Sequence, residues 1–198
     1  MNIKNIYNKI FHSKKVNLLG VKHAGKSQLL ETLGCPGIKA GLDSQSEQYP
    51  SFEIDFNSVG VDKKIFIHGG RDFGGELQTF RQQYARMMRK GDSVIFVVDS
   101  EKFLNDTHNT YDGIDYRMSV LQRIDLINLK TPYKNIEKFS VVLTHADSFA
   151  DRRIIFEKFQ QIVNSEQLKT ISRWISRYYV VDATNKHEVL DMFNKILG

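Results

Sequence analysis

The sequence predicts an α/β domain: a mostly parallel six-stranded sheet with one antiparallel edge strand and helices on both faces. Three observations carry this. Apolar runs of the fully buried strand type alternate with helical patterns from residue 92 to the end of the chain. Such alternation implies parallel pairing, because a strand reaches its parallel neighbour only through a helix-sized crossover. Next, Gly20-Val21-Lys22-His23-Ala24-Gly25-Lys26-Ser27 fits the pattern G-x-x-x-x-G-K-[ST] at every fixed position, between an apolar strand and a helix. Lastly, residues 52–67 hold two short strand patterns around Gly60-Val61-Asp62, a hairpin that supplies the antiparallel edge.

The elements follow in order. Within residues 1–12, Ile3, Ile6, Tyr7, Ile10 and Phe11 recur at helical spacing and form one apolar face, with Lys4, Lys9, Lys14 and Lys15 around it. Two readings of this face stay open: a helix lying in a membrane interface, or a helix packed on the domain's own surface. Asn2 excludes N-myristoylation, and the end Lys195-Ile196-Leu197-Gly198 carries no prenylation cysteine. Val16-Asn17-Leu18-Leu19 reads as a strand, and Gln28–Leu33 as a helix through Leu29, Leu30 and Leu33. Residues 34–51 are a loop by their Gly, Pro, Ser and Asp punctuation. Strands are expected at 51–60, with Phe52, Ile54 and Phe56 alternating, and at 63–67, then a second glycine-rich loop from His68 to Glu76. Residues 76–90 read as a helix with Leu77, Phe80, Tyr84, Met87 and Met88 as its packed stripe. Buried strands follow at 92–99 and 139–144, with a helix at 112–130 between them on Ile114, Met118, Leu121, Ile124 and Leu129. One or two helices over 150–163 and 165–176, a strand at 177–182 and a helix at 186–197 complete the chain.

At 198 residues, 41% hydrophobic and 26% charged, the chain has the size and composition of one soluble domain. Its net charge of +5 suits an anionic ligand or an acidic membrane surface, and is too weak to argue for nucleic acid. Cys35 is the single cysteine, so no internal disulfide forms and a reducing, cytoplasmic setting is expected. No apolar run approaches the ~20 residues that span a bilayer, and no signal peptide is recognisable.

Open α/β sheets bind ligands outside the carboxyl ends of their strands. Four polar clusters are expected there: residues 20–27, 68–76, 144–147 and 182–185. In the first, Gly20 and Gly25 let the backbone wrap an anion, with N–H groups and a helix N-terminus directed at phosphate oxygens. Lys26 would reach the β/γ-phosphates and Ser27 would hold Mg²⁺. In the second, Asp72 would hold the Mg²⁺ hydration shell and the Gly75 N–H the γ-phosphate. In the third, the Asp147 carboxylate would accept from guanine N1–H and the exocyclic amine, which adenine does not match. In the fourth, a backbone N–H around Ala183 and Thr184 would meet guanine O6.

These four clusters, in this order, resemble a Ras-superfamily small GTPase, and its ADP-ribosylation-factor (Arf) and Arf-like branch in particular. The N-terminal amphipathic helix runs through two lysines into the first strand. Asp72-Phe73-Gly74-Gly75-Glu76 resembles the branch's Asp-Val-Gly-Gly-Gln, with Gly69-Gly70-Arg71 as an alternative alignment that loses the Asp, and Val94–Ser100 is similar to its Leu-Ile-Phe-Val-Val-Asp-Ser. The resemblance covers nearly the whole chain. It implies a P-loop small-GTPase fold, with an amphipathic helix over residues 1–13 and a GTP-binding domain over 14–198. It implies GTP/GDP and Mg²⁺ as ligands, with Gly20, Lys22, His23, Ala24, Gly25, Lys26, Ser27, Gln28, Gly75, Thr144, His145, Asp147, Ala183 and Thr184 around the nucleotide. Lys26 and Glu76 would stand at the reacting phosphate, and Ser27, Ser51 and Asp72 around the metal.

The sequence also departs from the family pattern. Thr144 and His145 replace the Asn and Lys of the guanine motif. Thr144 would contact the nucleotide through its hydroxyl, and the His145 ring would stack on the base. Glu76 stands where the catalytic Gln belongs, bringing a charge near the γ-phosphate. No switch Thr is evident, and Ser51 is the first choice for its place, with Ser44 and Ser46 behind it. An inserted loop is expected near residues 103–113. His68, His108 and Asp112 are read as scattered surface residues rather than a metal site. Two functions follow: a slowly hydrolysing guanine-nucleotide switch with regulatory and effector partners, or a nucleotide-locked interaction module without significant hydrolysis. A P-loop ATPase or kinase is a third class, disfavoured by the lack of an arginine-rich lid.

Overall fold

The computed structural model describes residues 13–41, 48–68, 70–71, 92–105, 115–130, 136–165, 175 and 177–198. The N-terminal helix, Ser44, Ser46, the Asp72–Glu76 motif and the helix expected at 76–90 lie outside the described residues.

Four parallel strands form the centre: β2 (Val16–Gly20), β7 (Asp92–Asp99), β8 (Ile136–Thr144) and β9 (Arg177–Val180), paired in that order. The apolar runs of β7 and β8 are explained by burial on both faces. Ile95 and Val97 of β7 pack to one side and Val94, Phe96 and Val98 to the other, all at 0% exposure. Before β2 runs β1 (Ser13–Lys14), parallel to β5 (Lys64–Ile67), which pairs antiparallel with β4 (Phe52–Asp55). The Lys15 carbonyl accepts the Ser93 N–H at 3.1 Å, so residues 13–20 join hairpin and centre into one layer. The layer is the mostly parallel sheet with an antiparallel edge that the sequence predicts.

The hairpin runs further than its pattern implied. β3 (Gln48–Tyr49) pairs antiparallel with β6 (Gly70–Arg71), in the register that β4 and β5 keep: Phe52 faces Ile67, and Tyr49 faces Gly70 three residues on. Pro50 interrupts the ladder, since it has no N–H to donate.

One face of the sheet is covered by α1 (Lys26–Thr32) and α5 (Lys186–Leu197), the other by α2 (Ser100–Asn105), α3 (Tyr116–Lys130) and α4 (Arg152–Val163). In α5, Val189, Leu190, Met192, Phe193, Ile196 and Leu197 are buried on one broad stripe. Asn185 caps its start, accepting from His187 and Glu188 N–H. At its end the Lys138 ammonium donates to the Ile196 carbonyl at 3.1 Å and Arg177 to that of Lys195 at 3.0 Å, suited to the negative helix terminus.

Three sequence expectations change. The strand expected over 51–60 ends at Asp55, because Asn57–Val59 turn into a short 3-10 helix that closes on the left-handed Gly60. Residues 103–105 belong to α2, with Phe103 fully buried, so an inserted loop cannot begin at 103. Met118 is 49% exposed, and the buried stripe of α3 is Tyr116, Val120, Leu121 and Ile124 with Ser119 and Arg123. Arg123 sits at an apolar position because its guanidinium donates back to the Ser119 carbonyl at 3.1 Å and to the Ser119 hydroxyl.

Candidate functional site: a phosphate loop and two base-side turns

β2 feeds a tight loop at its carboxyl end. Gly20 has φ 151°, and a Cβ there would stand 2.3 Å from the Val97 carbonyl oxygen of β7. No side chain fits without moving the central strand. Gly20→Ala is expected to destabilise the fold by about 3 kcal/mol, read as a drop in thermal midpoint; an unchanged midpoint would refute the close approach. His23 has φ 60°, an uncommon conformation for a residue with a Cβ. Gly25, at φ 89°, is the N-cap of α1. No side chain caps that helix, and no acidic residue stands in its first turn, so its N-terminal potential is left for an anion.

Lys26 is only 5% exposed. Its ammonium donates to the Val21 carbonyl at 3.1 Å and approaches that of Gly20 at 3.5 Å, drawn inside the loop. Ser27 follows on the first helical turn, half-buried. Lys22 and His23 lie exposed on the rim. Ala24 is buried, and its N–H closes a turn onto the Val21 carbonyl at 3.2 Å. The Gln28 amide is directed along the helix to the Thr32 hydroxyl at 3.3 Å, and Thr32 donates to the Ala183 carbonyl at 2.7 Å. That chain of bonds joins α1 to the 182–185 turn.

Two turns leave the carboxyl ends of β8 and β9. Thr144 is fully buried, and its hydroxyl lies 2.8 Å from the Ala24 carbonyl and 3.1 Å from that of Val98. That hydroxyl ties the third cluster to the phosphate loop. Gly25 is part of the same packing: a Cβ there would lie 3.3 Å from the Thr144 hydroxyl oxygen. His145 then takes a left-handed backbone, φ 57°, and the chain turns through residues 146–148, where Asp147 is exposed. At β9 the Asp182 carboxylate accepts from the Thr184 N–H at 2.8 Å and its hydroxyl at 2.6 Å. The Thr184 hydroxyl, ahead of the backbone N–H groups and the Arg152 charge, holds the Asp182 carboxyl below its ordinary range against burial. Thr184 is thereby committed to shaping the turn, and Ala183 sits buried within it.

The hairpin register bears on the metal site. Ser51 falls opposite His68, whose N–H donates to the Lys14 carbonyl at 3.1 Å. That level is about 16 Å down the strand from Gly20, at ~3.3 Å per residue. Along the strands Ser51 thus stands near the level of Lys15 rather than of Gly20, and Asp72, Gly75 and Glu76 lie outside the described residues. His68 is exposed on the hairpin, and no group of three or more His, Cys, Asp or Glu among the described residues is placed to hold a metal.

One residue escaped the sequence reading. Asp99 closes β7 and is 2% exposed, with Lys102 and His145 around its carboxylate. Its signal was a charged residue ending a buried strand at the edge where ligands bind.

Comparison with solved structures decides the architecture. The chain matches the GppNp-bound Arl6 BBS3 small GTPase from Trypanosoma brucei with a TM-score of 0.55 at 16% identity, covering 93% of this chain and 97% of that one. The fold is that of the small GTPases. The GTPase fold also matches the GDP-bound Roco2 RocCORdC structure from Methanosarcina barkeri, at a TM-score of 0.52 and 18% identity over 94% of this chain. The chain spans about half of that protein, 49% of its length. No protein-family model and no curated protein sequence matches the chain.

Proposed function

We propose that this chain is a guanine-nucleotide-binding switch of the Arf-like kind. The observation that carries the reading is the phosphate loop with Lys26 drawn inside it, tied by Thr144 to the turn bearing Asp147. That arrangement suits phosphates at one end and a base at the other. The guanine nucleotides in the Arl6 and Roco2 structures support the choice of base, as does a carboxylate two residues beyond His145. Nucleotide extracted from the purified chain, or loaded onto it with Mg²⁺, tests this. GDP or GTP is expected; adenine nucleotide, or no nucleotide after loading, refutes it.

Mg²⁺ fits the residues at hand. It takes hard oxygen ligands, keeps several waters and shares phosphate oxygens, so the Ser27 hydroxyl beside Lys26 suffices as its protein ligand here. Bound there, the ion would neutralise charge on the β- and γ-phosphates. Lys26 and the loop would hold the phosphates for in-line attack by water, and the γ-phosphate would order residues 38–51 and 68–80 in the triphosphate state.

Hydrolysis is proposed to be slow, because Glu76 would be repelled by the γ-phosphate and cannot donate as an amide does. Glu76→Gln is expected to keep or raise the single-turnover rate of GTP cleavage. A large fall would make Glu76 a general base. The nucleotide-locked module remains the second reading, and Glu76, His145 and the lack of an evident switch Thr favour it. Absence of any single-turnover cleavage would decide for it.

Membrane association through residues 1–12 is part of the proposal, in a cytoplasmic protein that visits membrane surfaces. Burying Ile3, Ile6, Tyr7, Ile10 and Phe11 contributes several kcal/mol at ~25 cal/mol per Å². Each nearby lysine adds about 1 kcal/mol at an anionic leaflet. Flotation on anionic liposomes is expected to be stronger with GTP analogue than with GDP, and to vanish in Ile6→Glu/Ile10→Glu. Equal, negligible flotation of both proteins in both states would make the segment a packing element.

A further inference from the structure

Asp99 ends β7, and its register partner on β8 is Thr144. Asp99 is held from three elements, two of them at its carboxylate, which burial obliges to have partners. From α2, the Lys102 N–H donates to one carboxylate oxygen at 3.0 Å and the Lys102 ammonium lies 3.2 Å from the other. From α3, the Tyr116 hydroxyl accepts the Asp99 N–H at 2.9 Å. From the base-side turn, His145 Nδ1 lies 3.6 Å from the same oxygen that Lys102 approaches. Lys102 already balances the charge, so the third contact serves His145 rather than Asp99.

The proton on that ring is fixed by its neighbours. Nδ1 is also 3.1 Å from the Thr144 hydroxyl oxygen. The single hydroxyl proton of Thr144 is directed at the Ala24 and Val98 carbonyls, so that oxygen offers His145 only lone pairs. Both groups beside Nδ1 can accept, the hydroxyl at hydrogen-bond distance and the Asp99 carboxylate at ion-pair distance, an arrangement that suits hydrogen on Nδ1. The imidazole is 41% exposed, on the turn where Asp147 follows two residues later. Its backbone is left-handed, a conformation that persists in a non-glycine residue only where its surroundings hold it.

We propose that Asp99 is a positioning residue that, through Nδ1, sets the His145 ring as one wall of the base site in its Nδ1–H tautomer. The ligand it serves is a purine base lying against the imidazole face. This rests on the guanine-nucleotide reading. Among the described residues, Asp99 is the charged group in contact with the ring, Lys102 is paired to Asp99, Asp147 follows two residues on, and Glu101 accepts from Ser148 of the same turn.

The test uses the full chain, fluorescently labelled GDP with Mg²⁺, and the variants Asp99→Asn, His145→Ala and their double. Each single change is expected to weaken GDP binding about fivefold, as for a half-exposed charged pair. The double should be no weaker than His145→Ala alone, because Asp99 acts through His145. A long-range proton–nitrogen spectrum should show the wild-type His145 as the Nδ1–H tautomer and Asp99→Asn should lose it. Additive losses, unaltered GDP affinity in His145→Ala, or an Nε2–H tautomer in the wild type would overturn the proposal. Should Asp99→Asn fail to fold, the wild-type spectrum and His145→Ala decide alone. Wild-type protein that does not bind the labelled GDP would count against the nucleotide reading, while the spectrum would still judge the Asp99–His145 pair.

Discussion

Lys26→Ala should lose tight guanine-nucleotide binding, with affinity lower by about 10³-fold or more. The ammonium is almost wholly removed from water, held by the carbonyls of Gly20 and Val21. Its desolvation is thus already met in the folded loop. A β- or γ-phosphate entering the loop would replace weak carbonyl dipoles with full negative charge, at short range and low local dielectric. Truncating one partner of a buried, hydrogen-bonded charge pair costs about 2–5 kcal/mol, and 4 kcal/mol is near 10³-fold. Alanine keeps the helix and removes a buried charge, so thermal stability without nucleotide should hold or rise. Titration with labelled GDP and a melting curve separate the two effects. A variant that melts normally and still binds GDP at wild-type affinity would end the phosphate-loop assignment.

The phosphate loop, β7 and α5 were legible because each is set by local pattern: fixed glycine spacing, an unbroken apolar run, and an apolar stripe behind an Asn cap. What was not legible depends on partners distant in sequence. The pairing of β3 with β6 has too few residues for alternation to show, and Pro50 hides its continuity with β4. In α3, Leu121 and Ile124 are buried as their spacing implied, while Met118 is exposed because the inner face is shared with a buried Arg and Ser that apolar spacing does not mark. Thr144 was placed beside the ligand by its order in the chain, and only the fold shows that its hydroxyl ties the third cluster to the phosphate loop. Ser51 was the first choice as the residue after Pro50, and only the register shows that it lies near the level of Lys15. Asp99 had no motif to mark it. Its meaning depends on Thr144 being its partner across the sheet.

Asp147→Asn should exchange guanine for xanthine. Asp147 is exposed in the short turn that follows the left-handed His145, at the carboxyl end of β8. A carboxylate there is acceptor only, with oxygens to receive both guanine N1–H and the exocyclic amine. Each hydrogen bond to a charged group contributes about 1.5–3 kcal/mol, so losing the match should lower GTP affinity by about 10²- to 10³-fold. The asparagine amide offers one acceptor and one donor. Xanthine keeps an N–H and carries a carbonyl where guanine has its amine, so the amide matches it while the carboxylate is repelled. Affinity for xanthosine triphosphate should therefore rise as that for GTP falls, with phosphate-loop contacts to both nucleotides unchanged. Asp147 lies outside the core, so the melting temperature should move little. Competition of GTP and xanthosine triphosphate against labelled GDP, before and after the substitution, measures the exchange. A variant that keeps the wild-type preference for GTP would place the base contact on another residue, and a variant that loses both nucleotides equally would make Asp147 a support of the turn rather than its recognition group.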